Sequence, residues 1–96
     1  MTHFIIVKFN DTVADRPALC RQIEDLFLPA AKMTGIYKVQ LFSSCVDRPN
    51  RHDLMIRMEM EPEALAAFDA SVIHRTWKER FGRYVLNKAI FDTQTD

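Results

Sequence analysis

The hydrophobic period of this chain switches from two to about 3.6 and back, twice, and that alternation limits the fold more than any other feature. Residues 3–9, HFIIVKF, alternate as a strand and stop at the turn pair Asn10-Asp11. One face of the strand carries His3, Ile5, Val7 and Phe9; the other carries Phe4, Ile6 and Lys8. A helix follows, with Asp15 placed to cap its N-terminus and Pro17 in its first turn. Leu19, Ile23, Leu26, Ala30 and Met33 give it one buried stripe. Pro29 falls inside that stripe and predicts a kink or break near Leu28, and Gly35 ends the helical stretch.

Residues 36–42 and 53–60 read as the next two strands, separated by the polar, turn-rich loop 43–52. In the first, Tyr37, Val39 and Leu41 oppose Lys38 and Gln40. In the second, Leu54, Ile56, Met58 and Met60 oppose Met55, Arg57 and Glu59. Pro62 starts a second helix with the stripe Leu65, Phe68 and Val72. A further helical segment carries His74, Trp77 and Phe81; Gly82 follows, and residues 85–92 alternate as a fourth strand.

The order β-α-β-β-α-β predicts an α+β, ferredoxin-like fold: a four-stranded antiparallel sheet with helices on one face. Residues 1–96 read as one domain, too short for two cores. In a monomer the second sheet face should be polar. Here Phe4, Ile6, Met55 and either Phe91 or Ile90 leave it apolar. A partner sheet would cover it, which predicts a symmetric homodimer with its sheets face to face. On that side Arg57 is expected to pair with Glu59 across the two-fold, or Glu59 with Lys8.

Charge and composition narrow the function. Thirteen basic and thirteen acidic residues cancel, so no overall field draws the chain to nucleic acid or an acidic membrane. The run Arg75, Lys78, Arg80 and Arg83 is interrupted by Glu79 and reads as a solvated face. Two glycines in the whole chain are too few for either glycine-rich phosphate cradle. Cys20 and Cys45 form no CxxC pair, and His52-Asp53 lacks a third ligand at a helpful spacing, so no metal site is expected. The N-terminal apolar run has neither a basic lead nor membrane-spanning length, which makes a cytoplasmic location the default.

Three stretches, HFIIVKFND, DLMIRMEMEPEALAAF and HRTWKERF…KAIFD, resemble in order and spacing the stress-responsive A/B barrel (Dabb) family, and the likeness covers nearly the whole chain. The resemblance implies ferredoxin-like chains that pair into a dimeric α+β barrel, with no cofactor. A plant polyketide cyclase of this family implies His74 as the catalytic histidine and His3 as a second one on the first strand. The cyclase tyrosine on the second helix falls on Phe68, and its other tyrosine falls near Asp25. The family's His-Pro-x-His turn reads Ser71-Val72-Ile73-His74, without the first histidine and the proline.

From the residues themselves, His74 is the candidate general base, because imidazole alone has an unperturbed pKa suited to proton transfer near neutrality. The plainer alternative is a histidine that fastens a bend between helical segments. His3, on the helix-facing side of its strand, is placed to approach His74; the plainer alternative is a half-exposed strand-end histidine satisfied by water or backbone. Phe27, Phe68, Trp77 and Tyr84 would line a pocket for a flat apolar ligand, or simply fill the core. Tyr37 and Tyr84 are the only phenols that could replace the missing acid. The expected function is therefore a small homodimer that binds a small apolar molecule or serves a stress-response role. The alternative is a cofactor-independent cyclase, isomerase or lyase; a third is a relative of the barrel monooxygenases that use their substrate as its own cofactor.

Overall fold

The computed structural model describes residues 1–94. Its strands are β1 (Thr2–Phe9), β2 (Ile36–Ser43), β3 (Leu54–Met60) and β4 (Val85–Thr93), all antiparallel to their neighbours in the order β2-β3-β1-β4. Helix α1 (Arg16–Phe27) joins β1 to β2. The connection from β3 to β4 runs through α2 (Ala64–Asp69), α3 (Val72–Thr76), a π turn (Trp77–Phe81) and a 3-10 turn (Gly82–Tyr84). This is the ferredoxin-like β-α-β-β-α-β arrangement that the hydrophobic periods predict.

Helix α1 starts where its cap residue stands: the Asp15 carboxylate accepts the Ala18 N–H at 3.0 Å, with Pro17 in the first turn. Leu19, Ile23 and Phe27 form its buried face. The helix gives way at Leu28 to a 3-10 segment, Leu28–Lys32, because Pro29 brings no N–H to the helical ladder. Gly35 then adopts φ +82°, and a Cβ there would sit 3.1 Å from that of Ala64. Its carbonyl accepts the Glu61 N–H at 2.7 Å and so ties the start of β2 to the end of β3.

Ile5, Val7, Phe9, Ile56, Met58 and Met60 point from the sheet into one core with Ile23, Phe27, Phe68, Trp77 and Phe81. Two side chains depart from the expected pattern. Tyr37 is 65% exposed rather than sharing a face with Val39, because the β2–β3 register shifts between Ile36 and Lys38. Val72 is 66% exposed rather than in the second helix's stripe. The helix ends at Ala70, and Ser71 caps a new one: its hydroxyl donates to the Phe68 carbonyl at 2.6 Å and accepts the His74 N–H at 3.2 Å.

The other sheet face is open and apolar at its centre. Register places Phe91 opposite Phe4, with ring centroids 6.4 Å apart, and Ile90 opposite Ile5 on the helix side. Phe91, not Ile90, therefore belongs to the outer face, with Ile6, Met55 and Phe42. Arg57 Nη2 bonds Glu59 Oε1 at 3.1 Å within β3, since residues two apart share a strand face. Lys8 instead donates to the Arg51 carbonyl at 2.6 Å. Among the described residues no helix is long and apolar enough to cross a membrane.

Candidate functional site

Strand β4 is an edge strand, and the broken second crossover leaves its helix-side face partly uncovered: Ile90 is 50% exposed. The result is a cavity of about 460 Å³ between that crossover and the β1–β4 edge. Ile5, Leu65, Trp77 and Ile90 supply apolar wall. His3, His74, Asp69, Asp92, Lys78 and Lys88 supply the polar groups.

Ser71 sets the position of His74, since the cap on its N–H fixes where α3 begins. The ring meets Phe68 edge-on at 5.4 Å, and Nε2 lies 4.0 Å from Asp69 Oδ1. Burial pushes the imidazole pKa below its ordinary value; Lys78 and Lys88 push the same way, against Asp69 and a backbone bond to it. His74 is therefore an uncharged imidazole near neutrality, able to accept a proton.

His3 is buried, at 4% exposure, rather than half exposed at the strand end. Its Nδ1 bonds the Asp92 carboxylate, because β1–β4 pairing puts residues 3 and 92 opposite each other. That bond fixes the ring orientation. Phe68 meets the His3 ring too, edge-on at 6.3 Å, and so packs against both imidazoles. Both histidines border the same cavity, joined by an apolar ring and not by a hydroxyl.

The aromatic candidates divide. Trp77 lines the cavity; Phe27 stacks behind it at 5.4 Å and against Phe68 at 6.2 Å, inside the core. Tyr84 stands outside the cavity lining, under the Arg83 guanidinium, with its carbonyl bonded to Asn10. Tyr37 is equally remote; its hydroxyl donates to Glu61 at 2.8 Å, a bond that raises the phenol pKa. Asp69, Lys78, Lys88 and Asp92 are the polar cavity residues that the sequence reading missed. Lys78 lies four residues after His74 on one helical face, and Lys88, Ile90 and Asp92 share one strand face. Those spacings were the available signal.

A second cavity, about 390 Å³, lies at the opposite end of the sheet beside the start of α1. Both cysteines border it, unbridged, with Arg16 at 3.4 Å from Asp47 and 3.5 Å from Asp53. Burial raises the Cys20 thiol pKa, which makes it a poor nucleophile near neutrality. No three potential ligands among the histidines, cysteines and carboxylates of the described residues converge as a metal site.

Solved structures of the same shape exist at low sequence identity. A dimeric ferredoxin-like protein of unknown function from Bacteroides fragilis aligns with a TM-score of 0.81 at 12% identity, covering 98% of this chain and 94% of its own. Another, from Thermobifida fusca, aligns at 0.76 and 16%, covering 94% and 85%. A protein from Nitrosomonas europaea, provisionally described as an antibiotic biosynthesis monooxygenase, aligns at 0.71 and 11%, covering 98% of each. No protein-family model and no curated protein matches this chain. The likeness is one of fold.

Proposed function

We propose that this chain is a Dabb-type domain over residues 1–96 that pairs into a homodimeric α+β barrel and binds a small, mostly apolar molecule beside His74. The observation that carries the reading is the cavity under the second crossover: apolar walls with a few convergent polar groups, as small-molecule sites have. Any stress-response role that the family name brings belongs to the same binder. Trp77 is the chain's one tryptophan and lines the cavity, so its fluorescence reports occupancy. Titration with octanol should shift the emission saturably. A spectrum indifferent to octanol and to other apolar molecules of that size would overturn the reading.

The dimer is supported by the apolar outer face of Phe4, Ile6, Phe42, Met55 and Phe91, and by the dimeric neighbours from Bacteroides fragilis and Thermobifida fusca. Light scattering at micromolar concentration should give twice the monomer mass. Ile6→Glu or Met55→Glu should dissociate or unfold it, because a carboxylate would enter the apolar contact. A clean monomer for the unaltered chain would contradict the pairing.

One observation favours a catalytic version. His74 is held uncharged by burial and two lysines in a cavity that admits a ligand, which suits a general base acting on a carbon acid. In that version the His3–Asp92 pair orients the substrate, and the reaction is a cofactor-independent cyclisation, isomerisation or lyase step. Exchange of an acidic C–H for solvent deuterium would report it. His74→Gln should slow that exchange by about 10²–10⁴-fold.

A further inference from the structure

The charges around the cavity are not evenly satisfied. Asp92 is bonded to His3, and Asp69 faces His74 from a side chain that is 56% exposed. Each carboxylate thus stands against an imidazole. Lys78 and Lys88 border the same cavity, and neither ammonium has a hydrogen bond or ion pair among the described residues. They approach from opposite walls: Lys78 from the π turn, one helical turn past His74, and Lys88 from β4, on the same face as Ile90. Both also lower the His74 pKa as like charges, behind the larger effect of burial. Both side chains are exposed, so an anion entering the cavity can reach either ammonium group.

We propose that the ligand is an anion with an apolar body, in the simplest case a straight-chain carboxylic acid, whose carboxylate sits between Lys78 and Lys88. The proposal rests on the small-molecule reading of the cavity and names its substrate class. Lysine suits the task as a compact charge with three donors on a flexible stem, able to follow a carboxylate across an open cavity. Leu65, Trp77 and Ile90 would take the hydrocarbon part. If His74 works as a base, an ammonium group beside a carbonyl oxygen would also stabilise the negative charge that develops there.

The test compares octanoate with octanol, which share a chain and differ in charge, by Trp77 fluorescence on the full chain. Octanoate should bind more tightly. The octanoate-to-octanol affinity ratio should fall roughly tenfold in K78Q/K88Q, as expected for a lost charge-assisted contact. K32Q, a lysine in the 3-10 segment after α1, should leave the ratio unchanged. Both lysines of the site are exposed, so the double variant should keep its fold, checked by circular dichroism. Equal affinity for the two ligands overturns the anion proposal and leaves the cavity reading standing. An octanoate preference that survives K78Q/K88Q overturns it too, because the carboxylate is then held elsewhere. Silence toward both ligands takes the cavity reading down with it.

Discussion

The two crossovers of this fold cover the same sheet in different ways. The first is one capped helix, Arg16–Phe27, that buries Leu19, Ile23 and Phe27 in an unbroken row before a short 3-10 segment, Leu28–Lys32. The second runs in four short pieces and buries Phe68 from α2 and Trp77 and Phe81 from the π turn. A continuous helix lays its stripe on the sheet and excludes space. A broken one turns side chains aside at each restart, and the cavity with both histidines lies beneath those restarts. A π turn within the second crossover fits this, since such turns gather at functional sites. The first crossover holds the fold, and the second trades regularity for a cavity.

That contrast can be broken by mutation. Phe27→Ala should cost about 3–5 kcal/mol in urea unfolding, because the ring is fully buried and packed on Phe68 and Trp77. A loss under about 1 kcal/mol would mean that the first crossover does not hold the core. The two helix caps sharpen the comparison at smaller cost. Asp15→Ala and Ser71→Ala should each lose about 1 kcal/mol. Only Ser71→Ala should speed hydrogen exchange at the His74 amide, whose acceptor is the Ser71 hydroxyl. Val72→Ser should change stability by less than about 0.5 kcal/mol, since the side chain lies outside the core.

The pH dependence is a finer probe of the second crossover. His74 has a folded pKa below its unfolded value near 6.5, so the unfolded chain binds the extra proton first. The His74 contribution should be absent above neutrality. As pH falls below the unfolded value and through the folded one, it should destabilise the protein. Lys78→Gln or Lys88→Gln should raise the His74 pKa, because each removes a like charge. Urea midpoints measured across that range for the three proteins would check both signs.

Sequence carried the architecture because period and punctuation agree. Alternation in residues 3–9, the Asp15 cap and the Pro29 break each predict a feature that the structure contains. Where it misled, a local signal outvoted the pattern. Val72 continues the spacing of Phe68 by four, but the Ser71 hydroxyl ends that count and starts another. Tyr37 alternates correctly with Val39, and a register irregularity turns it outward. The Ile90–Phe91 ambiguity could be resolved only by pairing with β1. The lining of the candidate site was half legible. Histidine chemistry marked His3 and His74, but the partner of His3 lies 89 residues away along the chain, and Lys78 was hidden in what read as a solvated basic run.

The central claim is that the second crossover forms a ligand cavity worked by an uncharged His74. A histidine-resolved NMR titration with and without octanol tests it most directly. The account predicts a His74 pKa below 6.5, shifted resonances at His74 with octanol, and no shift at His52, which lies outside this cavity. A His74 that titrates at or above that value, and ignores octanol, would contradict it.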